Sequence, residues 1–167
     1  MPIEPLYLKT IPLLRGFSSS EQRELAQHLE LVRVEPGSQL IEQGSTEGGF
    51  YFILDGQIRV SRLLSTGREI TLARLGKGHV VGFLSVLDGK PRSANVSAQS
   101  SASLAQLTTE QFQTLLGSPK PMAVRFQRLL AREMIRTLRL ANRRFTRAAT
   151  LPLEEFMSPE HIEGMLG

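Results

Sequence analysis

Arg92 and Ser93, flanked by Pro91 and Ala94, are the residues whose types and spacing best suit chemistry, and that chemistry is anion recognition. A guanidinium stays charged and offers a planar fork of donors to a carboxylate or phosphate, and a serine hydroxyl adds one donor more. Upstream, Gly82 opens a short run, Phe83, Leu84, Ser85, Val86 and Leu87. A short helix beginning there would aim the free N–H groups of its first turn at a phosphate, and small residues would let the phosphate come close. The chain then turns at Asp88-Gly89, and strand-like alternation starts at Val96. The same residues also fit a strand–turn–strand connection carrying a solvated arginine, and on these residues alone the two readings weigh equally.

Other chemistry is scarce. The chain has no cysteine, which removes disulfides, thiolate metal sites and a cysteine nucleophile. His28, His79 and His161 are scattered and share no ligand spacing, so no metal site is expected. Asp55 and Asp88 stand beside glycines, where such side chains cap turns. No nucleophile–base pair or Walker motif is present, and no catalytic residue is expected.

The elements that must position Arg92 read as follows. At 167 residues, 41% hydrophobic and 22% charged, the chain fits one globular domain with an appendage. Nothing approaches the run of about 18 apolar residues that a membrane span needs. Proline-punctuated residues 1–16 predict a short helical turn, and the capping box Ser18-x-x-Glu21 predicts a helix over about Ser19–His28. From Leu31, apolar–polar alternation recurs in LVRVEP, SQLIEQ, FYFILDG, QIRVSRLL, REITLARL and SANVSAQ, broken by glycines at short intervals. That texture predicts a closed or double-sheet β structure whose strands end near Leu107. Thr108-x-x-Gln111 then caps a helix reaching Leu116.

A long helix is expected over about 121–148. Ala123, Phe126, Leu130, Met134, Leu138, Ala141, Phe145 and Ala148 form an apolar stripe, and Arg128, Arg132, Arg136, Arg139, Arg143 and Arg147 form the opposite face. Such a rod, on the order of 40 Å long, exceeds what one small β domain covers, so part of its stripe needs another partner. The charge is concentrated here. Residues 120–149 carry nine basic side chains against Glu133 alone, whereas residues 150–167 carry four glutamates and no Lys or Arg. The acidic tail either folds back on the arginines or frays.

Gly82, Leu84, Leu87, Pro91, Arg92, Ser93, Ala94 and Val96 resemble the phosphate-binding cassette of the cyclic nucleotide-binding domain family, and PGSQLIEQG, FYFILDGQIRV and GREITLARLGKG resemble its glycine turns and strands. The resemblance implies an α+β fold: an antiparallel β-roll of the double-stranded β-helix or jelly-roll type, with N-terminal helices and a long C-terminal helix. Domain limits of 1–149 and 150–167 follow from it. It places a cyclic nucleotide (cAMP or cGMP) against Gly82, Phe83, Leu84, Ser85, Arg92 and Ser93, with Thr137 of the long helix near the base. Phe83 stands where the family has the glutamate that accepts the ribose 2′-hydroxyl, and Ser85 where it has alanine or glycine. The function implied is a stand-alone, non-catalytic regulatory module of the cytoplasm. The alternative is a degenerate domain that binds no nucleotide and acts as a dimeric scaffold for an unknown protein partner. A homodimer is expected through Phe126, Leu130, Met134, Leu138 and Phe145. Only 19 residues follow Ala148, too few for the family's helix-turn-helix domain, so no sequence-specific DNA binding is expected. The arginine face admits weak, non-specific contact with nucleic acid or anionic lipid.

Overall fold

The computed structural model describes residues 3–150. Two short turns, helix α1 (Pro5–Leu8) and a 3-10 turn (Pro12–Leu14), precede helix α2 (Ser19–Ala26). The α2 capping box is present with both halves: the Ser18 hydroxyl accepts from the Glu21 N–H, and the Glu21 carboxylate accepts from the Ser18 N–H. Leu8, Ile11, Leu14 and Leu25 from these elements are fully buried.

Eight strands follow, in two antiparallel sheets of four. They are β1 (Glu30–Val34), β2 (Gln39–Ile41), β3 (Gly49–Asp55), β4 (Ile58–Leu63), β5 (Glu69–Leu75), β6 (Val80–Val81), β7 (Asn95–Ala98) and β8 (Ala102–Thr108). One sheet runs β1-β8-β3-β6 and the other β2-β7-β4-β5. The interior lies between them: Tyr51, Ile53, Val81 and Leu104 from the first sheet meet Ile41, Ile58, Val96 and Ala98 from the second. This is the double-sheet β structure that the strand alternation implied, in the β-roll form that the resemblance implied.

Strand β3 is buried from Gly49 to Leu54, so both of its faces are used. Tyr51 and Ile53 face the roll. Phe50 lies edge-to-face with Phe52 and with Phe112 of helix α4 (Thr109–Leu116), each pair at 5.6 Å. Fully burying each ring contributes roughly 1.5–3 kcal/mol. Strand β6, only two residues long, carries too little alternation to be read as a strand from sequence.

A hydroxyl–carboxylate pair ties β4 to β5. Ser61, fully buried, donates to Glu69 Oε1 at 2.6 Å, and Arg59 Nη2 donates to Glu69 Oε2 at 2.9 Å. The Ser61 hydrogen bond, then that of Arg59, holds the Glu69 carboxyl below its ordinary value. A depressed carboxylate contributes stability above its unfolded pKa and loses it as pH falls through the folded one. Glu69→Gln is therefore expected to lower the melting temperature at neutral pH, with the gap to wild type closing below about pH 4. A gap that persists unchanged in acid would assign the role of Glu69 to shape rather than charge.

The helix expected after Gly82 is present as α3 (Phe83–Asp88), and the Asp88 carboxylate accepts from the Lys90 N–H at 3.1 Å in the turn that follows. Thr108 and Gln111 form the expected capping box of α4. Helix α5 spans Pro121–Ala149. The chain divides into two compact units, residues 1–124 and 125–167, with the boundary inside α5. Along α5, Phe126, Leu129, Leu130 and Glu133 are buried, whereas Met134, Ile135, Leu138 and Phe145 are exposed. The buried face thus includes Leu129 and Glu133, which the apolar count passed over. No described helix is long and apolar enough to cross a membrane.

Candidate anion-binding site in the β-roll

Arg92 is not solvated. Only 4% of it is exposed, which decides against a bare surface turn. Two short elements hold it. In the loop joining β2 to β3, the Glu47 carbonyl accepts from Arg92 Nε at 3.2 Å and from Nη2 at 3.1 Å. At the start of α3, the Gly82 carbonyl accepts from Nη1. The backbone of Arg92 is pinned to the same loop, its N–H donating to Ser45 O and its carbonyl accepting from Gly44 N–H, each at 2.8 Å.

Glycines make this approach geometrically open. Gly82 has φ +87°, and a Cβ there would lie 2.5 Å from Ile41 Cδ1 and 3.1 Å from Gly49 O. Gly48 has φ +92°, and a Cβ there would sit 3.5 Å from Arg92 Nη2. The cation is thus wrapped closely by backbone.

Among the described residues no carboxylate pairs with Arg92. Three of its five donor directions go to carbonyls, and its charge has no counter-ion there. Burial pulls the guanidinium below its ordinary value, and nearby Tyr51 opposes that shift. Burial likewise pushes the Tyr51 phenol up, with Arg92 opposing. The Tyr51 hydroxyl is poorly used: it lies 3.5 Å from Leu40 O and accepts from Gln106 Nε2 at 3.4 Å, both at the weak limit of a hydrogen bond. A buried, uncompensated cation beside an underused hydroxyl is chemistry suited to an anionic group.

The other expected ligand residues are distributed unevenly. Gly82, Ser85 and Arg92 come together, and Ser85 Oγ reaches Pro91 O at 3.5 Å. Phe83 is buried at the first position of α3, while Leu84 and Ser93 are exposed. Thr137 is exposed on the part of α5 belonging to the second unit. His161 and the acidic tail lie outside the described residues. Glu47 and Gly48 were passed over because they act through backbone, which leaves no residue-type signal. Tyr51 could have been found as the polar-tipped member of an inward-facing alternation. Among the described residues no group of three or more His, Cys, Asp or Glu could hold a metal.

Comparison with known proteins identifies the family of this fold. The model of the family described as "Cyclic nucleotide-binding domain" matches residues 31–118, more than half of the chain. The chain is 33% identical over 111 residues to a cAMP-dependent protein kinase regulatory subunit of Yarrowia lipolytica, covering 66% of this chain and 29% of that protein. It therefore spans less than a third of the relative's length. Among solved structures, the regulatory subunit of a cAMP-independent protein kinase A from Trypanosoma brucei superposes with TM-score 0.61 at 30% identity, over 75% of this chain and 49% of that one. A cyclic nucleotide-binding domain from Methylobacillus flagellatus shares the fold with TM-score 0.76 at 24% identity, over 89% of this chain and 83% of that one. The chain belongs to the cyclic nucleotide-binding domain family.

Proposed function

We propose that the chain is a non-catalytic regulatory module that takes a phosphate-bearing ligand of the cyclic nucleotide type into its roll, with the phosphate on Arg92 and Ser93. The observation that carries this is the buried guanidinium without a carboxylate partner. A ligand anion would supply the missing counter-charge and occupy the remaining donors, in a setting where charge-assisted bonds are strong. The relatives' role as regulatory subunits supports a regulatory reading in place of an enzymatic one.

Phe83 makes the ordinary cyclic nucleotides poor candidates. A phenyl ring offers no acceptor to a ribose 2′-hydroxyl, which would be desolvated without a partner. Wild-type protein is expected to bind cAMP and cGMP weakly or not at all in isothermal titration. Phe83→Glu should raise cAMP affinity about 10- to 150-fold, the range of one charge-assisted bond of roughly 1.5–3 kcal/mol. The gain should vanish with 2′-deoxy-cAMP. Micromolar cAMP binding by wild type, with no gain in Phe83→Glu, would remove Phe83 from the explanation.

The second reading, a degenerate scaffold that binds no nucleotide, is favoured by the same buried Phe83. Both readings share a homodimer through α5, supported by the exposed apolar residues Met134, Leu138 and Phe145. A cytoplasmic setting suits a chain without cysteine. The exposed arginines of α5 would give any nucleic-acid or lipid contact a steep salt dependence and no sequence preference.

A further inference from the structure

The loop that grips Arg92, residues 44–49, is GSTEGG, three glycines in six residues. Such a sequence has little stiffness of its own, so its conformation must come from its tethers. On one side the tethers run to Arg92 through Gly44 N–H, Ser45 O and Glu47 O. On the other side the segment runs into β3, where Gly49 pairs with Thr108 of β8, and one side chain holds the peptide just before that ladder: Thr109 Oγ1 donates to the Gly48 carbonyl. Gly48 directly follows Glu47, so the peptide fixed by Thr109 adjoins the carbonyl on which the guanidinium rests.

The Thr109 contact is not explained by local structure. The N-cap of α4 is Thr108, whose hydroxyl accepts from Gln111 N–H at 3.2 Å, so Thr109 is free of the capping role. Nor is the bond needed to satisfy a buried carbonyl. It lines an open cleft of about 330 Å³ together with Thr46, Glu47, Gln106 and Glu110, where water could take the place of the hydroxyl. What water could not supply is a fixed position.

We propose that Thr109 is a positioning residue for the anion site: its hydroxyl locks the Glu47–Gly48 segment in the conformation that presents Arg92, and it ties that segment to the first turn of α4. The effect on ligand rests on the reading of Arg92 given above, whereas the locking of the loop does not. Ligand binding at Arg92 would be felt at α4 through the same contact, and by linkage the reverse holds.

Amide hydrogen exchange on the full chain, without ligand, tests the lock. Thr109→Val should speed exchange at the Gly44 and Arg92 amides, which report the loop–Arg92 contact, by about two- to tenfold, the range of one hydrogen bond. Thr109→Ser, which keeps the hydroxyl, should restore wild-type exchange, and Thr108→Val, which uncaps α4, should leave those two amides unchanged. Unaltered exchange in Thr109→Val, or equal loosening in Thr109→Ser, overturns the proposal. So does loosening that merely follows a global drop in melting temperature. If Thr109→Val does not fold, Arg92→Ala takes its place: faster exchange at Thr109–Gln111 supports the coupling, and unchanged exchange overturns it. Calorimetry with cAMP and inorganic pyrophosphate then separates the two ideas. Should wild type bind neither probe, the ligand reading fails and the exchange result alone decides the lock. Should it bind one, Thr109→Val must weaken that binding two- to tenfold, and undiminished affinity overturns the proposal while leaving Arg92 as the anion contact.

Discussion

Arg92→Ala eliminates measurable anion binding while the β-roll stays folded; this is the expected result of the most consequential single substitution in the chain. Two charge-assisted hydrogen bonds from one guanidinium contribute roughly 1.5–3 kcal/mol each, so their joint loss costs at least about a hundredfold in affinity. The stability change is expected to be smaller, because two effects oppose. Removing the side chain leaves the Glu47 and Gly82 carbonyls without their donor, at about 1–3 kcal/mol for each buried group that water does not reach. It also removes a buried charge that has no counter-ion, which returns several kcal/mol of desolvation. The second largely offsets the first. Arg92→Lys keeps the charge but loses the fork and should fall between wild type and alanine in binding. Calorimetry paired with thermal melting checks both halves. Wild-type affinity for any bound anion in Arg92→Ala would place the anion elsewhere.

Leu138→Glu combined with Phe145→Glu should convert a dimer into monomers. Phe145 is 75% exposed, Leu138 61% and Met134 41%, an exposed apolar row of the kind that suits an interaction surface. With Met134 before them and Ala141 between them, their positions step by three and four along one face. Two copies of that face would bury four large side chains, at roughly 1.5–3 kcal/mol each when fully covered. Placing carboxylates there would force unpaired charge into the contact. Because both residues are exposed in the single chain, the monomer itself should keep its melting temperature. Light scattering that finds wild type monomeric at tens of micromolar would dismiss this dimer.

The cassette was legible because its cues are local. Gly82 at positive φ, the short helix after it and the Asp88 turn each follow from residue type within a few positions. The capping boxes at Ser18 and Thr108 were readable for the same reason. What holds Arg92 was not legible, since Glu47 and Gly82 act by carbonyl and any residue carries a carbonyl. The weight of Arg92 itself was undecided from sequence, because burial is a property of the whole roll. Helix α5 was placed to within one residue at its end, yet its buried face includes Glu133, whose partner Arg136 stands 3.4 Å away. An apolar count cannot anticipate a carboxylate on the inward side. Ser61 is the parallel case in the sheet, a hydroxyl buried because Glu69 accepts from it.

The bare glycine at position 48 has a consequence for how the site would respond to acidity. A Cβ there would stand 3.5 Å from the guanidinium, yet among the described residues no side chain fills that place. The groups that meet at the site are an arginine, which does not lose its proton in a folded protein, and a tyrosine pushed further from neutrality. A site built on these two groups would be silent to pH across the physiological range, and any pH dependence of binding would be the ligand's own. A phosphodiester, a fixed monoanion, would bind with a flat profile. A phosphate monoester would tighten as it acquires its second charge near about pH 6. If the roll takes a phosphate as proposed, the shape of that one curve would report its class.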